Sequence, residues 1–306
     1  MPRNYDLLRS VHSWIYPDIQ PVPEMTGTDF FARIFRIDGL LLPLLLQQAG
    51  PGDRIRLSYP DENVSKNDVM VLARRILGFD IDFNNALAYM KKDPLLEHLV
   101  TSVQGIRPYT TDTPFEALVK SVIQQQISYR AANAVTKRMV MSISEKEKLH
   151  GLDLYSFPTA SSIVQCGLDG LQSFSIGYRS EYVLEVAKLV DSGVLDLDQM
   201  TGATFQEVHE ILGQVHGIGE WTVKAFMIAG FGDLSIFPFG DLSIQNILGV
   251  LYSNGNRMSK SEVIEKSNEW GEVGPSVLYL LMSAYVLGLA GLEGNPKTHK
   301  RRHTSE

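Results

Sequence analysis

The stretch VHGIGEWTVKAF, residues 215–226, places a Gly-Ile-Gly turn between two segments that both have the apolar spacing of helices. Gly217 and Gly219 allow positive φ angles and a close approach of the backbone to another molecule. The second helix would begin at this turn, so its unpaired N–H groups and the positive end of its dipole point outward. Such a helix end binds anions, and a DNA phosphate would fit it. The spacing alone allows an ordinary connection between two helices equally well.

Composition and charge narrow the class of protein. The chain has 306 residues, 44% of them apolar, and a net charge of −7. This length predicts two or three domains. The acidic total argues weakly against nucleic-acid binding, but a small basic face is enough for affinity to phosphate. The longest apolar run, GLLLPLLL at 39–46, is too short for a transmembrane helix. We expect a soluble, monomeric, intracellular protein of the cytoplasm and nucleoid, or of the nucleus in a eukaryote.

Cysteine and histidine usage argues against the common metal centres. Cys166 is the only cysteine, which excludes a disulfide framework, a cysteine-ligated zinc site and a four-cysteine iron–sulfur cluster. The seven histidines contain no HExxH-like pair. We therefore expect no cofactor of these kinds.

The first 82 residues predict a small sheet-containing module. Asp-Gly and Gly-Pro-Gly sequences separate three strand candidates, ARIFRI (32–37), LLLPLLLQ (40–47) and DRIRLSY (53–59). An amphipathic helix follows at 65–78, with Ser65 or Asn67 able to cap it.

From residue 83 to about 290 the pattern is helical almost throughout. Residues 113–139 open with a capping box formed by Thr113 and Glu116, with Pro114 in the first helical position. A further helix at 179–193 stops at Gly193, and a second capping box, Thr204 with Glu207, opens FQEVHEILGQV. The predicted fold is α+β, with an antiparallel-sheet module before a larger helical body. The basic end of the chain, within 291–306, reads as a flexible tail.

Asp241 is the second feature with chemical meaning. It follows Phe-Pro-Phe-Gly at 237–240 and precedes a helix with apolar residues at helical spacing. A carboxylate at this place is most often a structural N-cap. A hairpin of the form LxxVxGIGxWT, with the aspartate of an FPxxD sequence about twenty residues beyond it at the head of a helix, resembles the helix-hairpin-helix DNA glycosylase superfamily, and its alkylbase (3-methyladenine) branch in particular.

Two further segments carry the same resemblance. VIQQQIS (122–128) resembles the family's glutamine-bearing helix end beside the lesion, and SIGYRSEYVLEVAKLV (175–190) resembles its segment after the interdomain loop. The similarity covers roughly residues 83–290 and implies two helical subdomains with the active cleft between them. It also implies double-stranded DNA with damaged bases as the partner.

The resemblance assigns the chemistry to Asp241. Cleavage of an N-glycosidic bond develops an oxocarbenium cation on the sugar, and a carboxylate near C1′ stabilises this cation and orients or deprotonates water. The target base must first leave the duplex. By position, Gln126 fills the vacated stack, with Gln125 beside it at the substrate. The hairpin residues implied to contact DNA are His216, Gly217, Gly219 and Thr222.

Trp221 separates branches of the family. Members that also cleave the strand carry a Schiff-base lysine at this hairpin position. Here the position is Trp221, and Lys224, three residues on, is not the family's lysine position. The resemblance therefore implies a monofunctional enzyme that uses water as its nucleophile. An aromatic wall suits a positively charged methylated purine.

Some residues depart from the alkylbase pattern. GYRSEYV (177–183) is closer to the 8-oxoguanine branch, and Met282 stands where a second pocket tryptophan is expected. Tyr178 can supply a compensating ring at the substrate or simply pack. Three interpretations stay open: an alkylpurine glycosylase, an 8-oxoguanine-type glycosylase, and a non-catalytic DNA-binding module. The family also implies a monovalent cation at the backbone carbonyls of Gly213, Val215 and Ile218.

Overall fold

The structure is a computed structural model that describes residues 4–37, 39–60 and 64–289. The predicted basic tail, 291–306, lies outside the described residues. Within those described ranges, no helix is long and apolar enough to cross a membrane.

The N-terminal part forms a four-stranded antiparallel sheet in sequential order, as the alternation of apolar runs and turn residues predicts. Its strands are β1 (Met25–Thr26), β2 (Phe30–Ile37), β3 (Leu40–Gln47) and β4 (Arg56–Ser58). Helix α1 (Leu7–His12) and helix α2 (Lys66–Ile76) bury their apolar residues with one face of this sheet. Ser65, rather than Asn67, caps α2, because its side chain accepts a hydrogen bond from the Asp68 N–H.

The rest of the described chain is mainly helical, which confirms the α+β prediction. The helices are α3 (Asn84–Met90), α4 (Val100–Val103), α5 (Pro114–Ile123), α6 (Tyr129–Ile143), α7 (Ala160–Ser173), α8 (Arg179–Asp191), α9 (Phe205–Leu212), α10 (Glu220–Phe231), α11 (Leu242–Tyr252), α12 (Lys260–Glu269) and α13 (Gly274–Val286).

The chain divides into two compact units. The first contains Met1–Phe83 and Gln104–Pro238, and the second contains Asn84–Val103 and Phe239–Glu306. In the first unit, α5 packs against α8 and α10 in the largest apolar core. In the second unit, α13 is the central helix and packs against α3, α11 and α12. The boundaries predicted from the sequence, at 82/83 and 290/291, separate a sheet module, a helical body and a tail rather than these compact units. They stay a prediction.

The helix predicted over 113–139 is two helices. Helix α5 ends at Ile123, and α6 begins at Tyr129 with Ser128 as its N-cap. The chain turns between them at Gln126, whose φ of 54° no α-helix accommodates. Apolar periodicity continues through the turn, so periodicity alone did not reveal the break.

The predicted capping box at the start of α5 is only half formed. Thr113 caps the helix by accepting from the Glu116 N–H at 3.2 Å, and Pro114 occupies the first turn as predicted. The carboxylate of Glu116 instead meets Arg33 of β2, with 2.6 Å between Oε2 and Nη2. Both side chains are fully buried. A buried charge needs a charged partner more than a helix end needs a reciprocal cap, so the long-range ion pair takes the carboxylate.

Sequence reasoning also missed a β-hairpin inside the helical part. Strands β5 (Lys146–Leu149) and β6 (Leu152–Tyr155) pair through the turn at His150 and Gly151. Both turn residues have positive φ, 48° and 81°, as a two-residue hairpin turn requires. A Gly after a polar residue, between alternating apolar positions, was the signal for this hairpin. It contacts β2 and β3 of the larger sheet.

Candidate functional site

The Gly-Ile-Gly turn lies between α9 and α10, as predicted. The turn is closed by a hydrogen bond from the Ile218 N–H to the Val215 carbonyl at 3.0 Å. Gly217 has a φ of 83°, and a Cβ there would lie 2.4 Å from the Tyr182 ring, so only glycine fits. Gly219 does not use this freedom, because its φ of −110° is open to any residue. A Cβ at Gly219 would meet nothing within 4 Å.

Gly219 is the N-cap of α10, and no side chain caps this helix end. Helix α9, by contrast, has Thr204 and Glu207 in the predicted capping box. A 12-residue helix that begins on an exposed glycine presents its first-turn N–H groups and its positive dipole end to an approaching anion. This geometry agrees with the phosphate site expected for the hairpin.

The side chain of Gln125 bridges α5 to the hairpin. Its Nε2 donates to the Gly217 carbonyl at 2.8 Å and to the Thr222 hydroxyl at 2.9 Å. Because a carbonyl only accepts, the amide nitrogen must face the hairpin. Gln125 is thus a structural link at the position predicted to bind substrate. Thr222 is 2% exposed and its hydroxyl is used internally, so a side-chain contact to DNA is excluded and only its backbone is left for that role.

Gln126 stands at the tip of the turn between α5 and α6 with an exposed side chain. Its positive φ is uncommon for a residue with a Cβ and persists only where the surroundings impose it. Exposure and an imposed backbone suit a residue that enters a base stack. Its role as the residue that fills the vacated stack stays a prediction.

Trp221 is half-buried in the first turn of α10, whereas Trp270 of the second unit is a core tryptophan with 3% exposure. Lys224, one turn further on, is engaged elsewhere. Its Nζ lies 2.7 Å from Glu220 Oε1 and 5.0 Å from the centroid of the Phe205 ring at the start of α9. The lysine therefore turns toward α9 and its carboxylate partner.

Three aromatic side chains line the hairpin. The Tyr182 ring makes edge contacts with His216, at 5.0 Å between centroids, and with Tyr178, at 5.7 Å. His216 is exposed, as a DNA contact requires. Tyr178 is 48% exposed, which favours a ring available to a ligand over a packed one. Tyr182, which also fills the space that Gly217 leaves, was not predicted as a site residue.

Arg179 is the second site residue that sequence reasoning missed. Its Nε donates to the Gln125 carbonyl at 2.8 Å, and its Nη1 donates to the Ile176 carbonyl at 2.6 Å. Both missed residues, Arg179 and Tyr182, lie within four positions of Tyr178, which was predicted as a site residue. This closeness in the sequence could have identified them. Tyr178 is the N-cap of α8, and Arg179 and Tyr182 lie in its first turn.

Asp241 lies in the second unit as the N-cap of α11. Its Oδ1 accepts from the Ser243 N–H at 2.8 Å, and the side chain is half-buried. The N-cap interpretation is therefore confirmed, and it leaves the chemical role open because one carboxylate can serve both. Met282, the other predicted site residue of this unit, is half-buried on α13.

The hexapeptide that contains Asp241 occurs twice, with two residues between the copies. FGDLSI at 231–236 and at 239–244 puts Asp233 and Asp241 at equal positions. Asp233 accepts from the Ser235 N–H at 3.0 Å in the same way, but it precedes only a single turn of 3₁₀ helix. Asp241 precedes the 11-residue α11. Two carboxylates thus have the same local bond in different settings.

Comparison with known proteins agrees with these features. The family model described as "HhH-GPD superfamily base excision DNA repair protein" matches residues 119–272. A Bacillus subtilis protein named DNA-3-methyladenine glycosylase is 24% identical over 216 residues, which cover 70% of this chain and 71% of that protein. A Methanothermobacter thermautotrophicus protein named probable N-glycosylase/DNA lyase is 22% identical and covers 88% of this chain and 90% of its own.

A solved structure shares the fold over almost the whole length. The 3-methyladenine DNA-glycosylase from Archaeoglobus fulgidus superposes with a TM-score of 0.83 at 23% identity, covering 95% of this chain and 98% of that one. The matched family region contains the uncapped hairpin, Trp221, Gln125, Gln126 and Asp241. The chain belongs to the HhH-GPD superfamily of base excision DNA repair proteins.

Proposed function

We propose that this protein is a monofunctional DNA glycosylase that hydrolyses the N-glycosidic bond of alkylated purines in double-stranded DNA. The observation that carries the proposal is Asp241, a half-buried carboxylate at the head of α11 within the family's matched region. Relatives named DNA-3-methyladenine glycosylase support the choice of substrate class. An intracellular place of action follows from a DNA substrate.

In the proposed reaction, the C1′–N bond to the base breaks and its electron pair leaves with the base. A purine methylated at N3 or N7 carries positive charge, so departure neutralises it and needs no separate general acid. Asp241 stabilises the cation that develops on the sugar and accepts a proton from the water whose oxygen bonds to C1′. Trp221 and Tyr178 offer rings on which a cationic base stacks, worth about 0.5–2 kcal/mol.

The absence of strand cleavage is also part of the proposal. A Schiff base needs an unprotonated amine at the sugar. Trp221 occupies the family's lysine position, and the Lys224 ammonium is paired with Glu220 and stacked on Phe205. An 8-oxoguanine-type lyase is the second candidate, because of the GYR sequence at 177–179 and the relative named N-glycosylase/DNA lyase.

One assay separates these candidates. Purified protein is incubated with duplexes that contain 3-methyladenine, 7-methylguanine, 1-methyladenine, hypoxanthine or 8-oxoguanine, with and without borohydride, and free base and covalent adduct are measured. We expect release of methylated purines and no trapped adduct. Release of 8-oxoguanine with a trapped adduct would instead establish the second candidate, and binding without any release would leave a DNA-binding module.

We further propose a monovalent cation at the hairpin turn, held by the carbonyls of Gly213, Val215 and Ile218. The Val215 carbonyl accepts one hydrogen bond, from Ile218, and a carbonyl oxygen has a second lone pair for a cation. Exchange of K⁺ or Na⁺ for a large organic cation at constant ionic strength is expected to weaken duplex binding. Equal binding in all three salts would contradict this site.

A further inference from the structure

Arg179 is the first residue of α8 and is only 7% exposed. Its guanidinium is used in three directions. Nε binds the Gln125 carbonyl, Nη1 binds the Ile176 carbonyl, and the guanidinium carbon lies 4.8 Å from the centroid of the Tyr178 ring. A buried arginine that binds two carbonyls at once acts as a clamp on the backbone, because its planar fork fixes both acceptors in one geometry.

The clamp closes on the residue before the turn tip. Gln125 is held at its main-chain oxygen by Arg179 and at its side chain by Gly217 and Thr222 of the hairpin. The next residue, Gln126, has the strained positive φ and the exposed side chain. A strained backbone persists only where neighbouring contacts over-determine it, and these three hydrogen bonds are such contacts.

We propose that Arg179 is a positioning residue for base flipping, because it fixes the Gln125 peptide in the orientation that aims Gln126 into the base stack. This inference rests on the proposed function, in which Gln126 fills the space that the flipped base leaves. Arg179 itself touches neither the sugar nor the scissile bond in this account. Its loss lets the turn relax, so Gln126 reaches the stack in fewer encounters.

The test compares two substrates that differ in the cost of flipping. One duplex carries 7-methylguanine opposite cytosine, and the other carries it opposite an abasic site, where the base is unpaired and leaves the stack at lower cost. We call Gln126 the wedge because it enters the stack. The ratio of single-turnover release rates, unpaired over paired, rises when the wedge is misplaced, because the paired base depends on it more than the unpaired base does. For Arg179→Met we expect a ratio about 10- to 100-fold above wild type, the loss expected from misplacement of a group by about 1 Å.

Arg179→Lys separates position from charge. Lysine keeps the positive charge but has no planar fork for two carbonyls, so we expect its ratio to rise as in Arg179→Met. It also keeps a cation in the buried site, which makes it the variant to use if Arg179→Met fails to fold. A wild-type ratio in Arg179→Lys would mean that the charge alone is needed, and would overturn the clamp.

Arg138, whose side chain is more exposed than that of Arg179, provides a control for this kind of bond. Its Nε donates to the Phe174 carbonyl at 2.8 Å, the same kind of bond, outside the turn and the hairpin. We expect Arg138→Met to have a wild-type ratio. An Arg179→Met enzyme that slows equally on both substrates would contradict the proposal, because a merely structural defect has that effect.

Gln126→Ala distinguishes failure of this inference from failure of the wedge itself. A raised ratio in Gln126→Ala together with a wild-type ratio in Arg179→Met overturns only the role of Arg179. A wild-type ratio in Gln126→Ala removes the wedge and the clamp together, while release from either substrate still supports the proposed glycosylase.

Discussion

Among single residues, Asp233 and Asp241 show that the same local sequence can stand in two different structural settings. Both stand in the hexapeptide FGDLSI, and both accept a hydrogen bond from the serine two residues on, at 3.0 and 2.8 Å. The leucines that follow differ, since Leu234 is buried and Leu242 is 59% exposed. An 11-residue helix follows Asp241, whereas a single 3₁₀ turn follows Asp233.

Gly219 makes the phosphate role of the turn testable at one atom. A Cβ there meets no atom within 4 Å and the φ is ordinary, so Gly219→Ala is expected to lower the melting temperature only slightly, through the poorer N-cap that alanine makes. The added methyl group would stand at the exposed helix end where a phosphate approaches, and we expect weaker binding to duplexes of every sequence alike. Fluorescence anisotropy on several unrelated duplexes measures this. A loss confined to one sequence would contradict the phosphate role.

Gly217→Ala is the contrasting variant. It forces a Cβ into the Tyr182 ring and a side chain into positive φ. It should therefore lower both the melting temperature and the affinity. A stable Gly217→Ala protein with normal affinity would mean that the hairpin repacks freely.

At the level of the elements, α10 combines the proposed phosphate-binding end with a carboxylate in its first turn. Glu220 is exposed, and its charge is partly offset by Lys224. An acidic first-turn residue favours the helix but repels a phosphate at the same place. If the hairpin binds DNA as proposed, Glu220 lowers its affinity for phosphate while it stabilises the helix.

Removal of this charge is expected to tighten DNA binding. For Glu220→Gln we expect a dissociation constant lower by about two- to fivefold at low salt, which corresponds to about 1 kcal/mol or less for an exposed charge. Because salt screens exposed charges, the difference from wild type should vanish near 1 M salt. Titrations at both salt concentrations measure this, and weaker binding at low salt would show that the Glu220–Lys224 pair organises the hairpin instead.

For the whole molecule, local sequence patterns predicted individual strands, helix caps and turns, but they did not predict which distant side chains bond to each other. Strands β2 and β3, the cap of α2 and the hairpin all follow from patterns within a dozen residues. Glu116 instead joins Arg33, 83 positions away, and no local pattern shows this. The clamp of Arg179 on Gln125 likewise spans 54 positions. Local motifs were enough to name the candidate site residues. They did not show the long-range hydrogen bonds that fix the positions of these residues.

Asp112, a buried carboxyl near the Arg33–Glu116 ion pair, predicts a pH effect on stability. Burial raises the pKa of Asp112 to about 6, against attraction from Arg33, and its Oδ1 has no hydrogen-bond partner. The folded pKa lies above the unfolded one, so the contribution of Asp112 to the free energy of unfolding should fall as pH rises from about 4 to about 6. A shift of two units corresponds to about 3 kcal/mol. Asp112→Asn should flatten this part of the curve, as urea unfolding at pH 4, 5, 6 and 7 would measure. If wild type and Asp112→Asn had parallel curves of unfolding free energy against pH, Asp112 would not be the source of the effect.

Asparagine variants at Asp241 and Asp233 separate the proposed catalytic role of Asp241 from the N-cap bond that both carboxylates make. Single-turnover release of 7-methylguanine from duplex DNA is measured for wild type, Asp241→Asn and Asp233→Asn, together with the dissociation constant for the same duplex. We expect Asp241→Asn to slow release by about 10²- to 10⁴-fold, with binding that is retained or tighter. Asp233→Asn, which loses the same local carboxylate, should release base at the wild-type rate. Full activity in Asp241→Asn, or loss of activity in Asp233→Asn alone, would contradict the account.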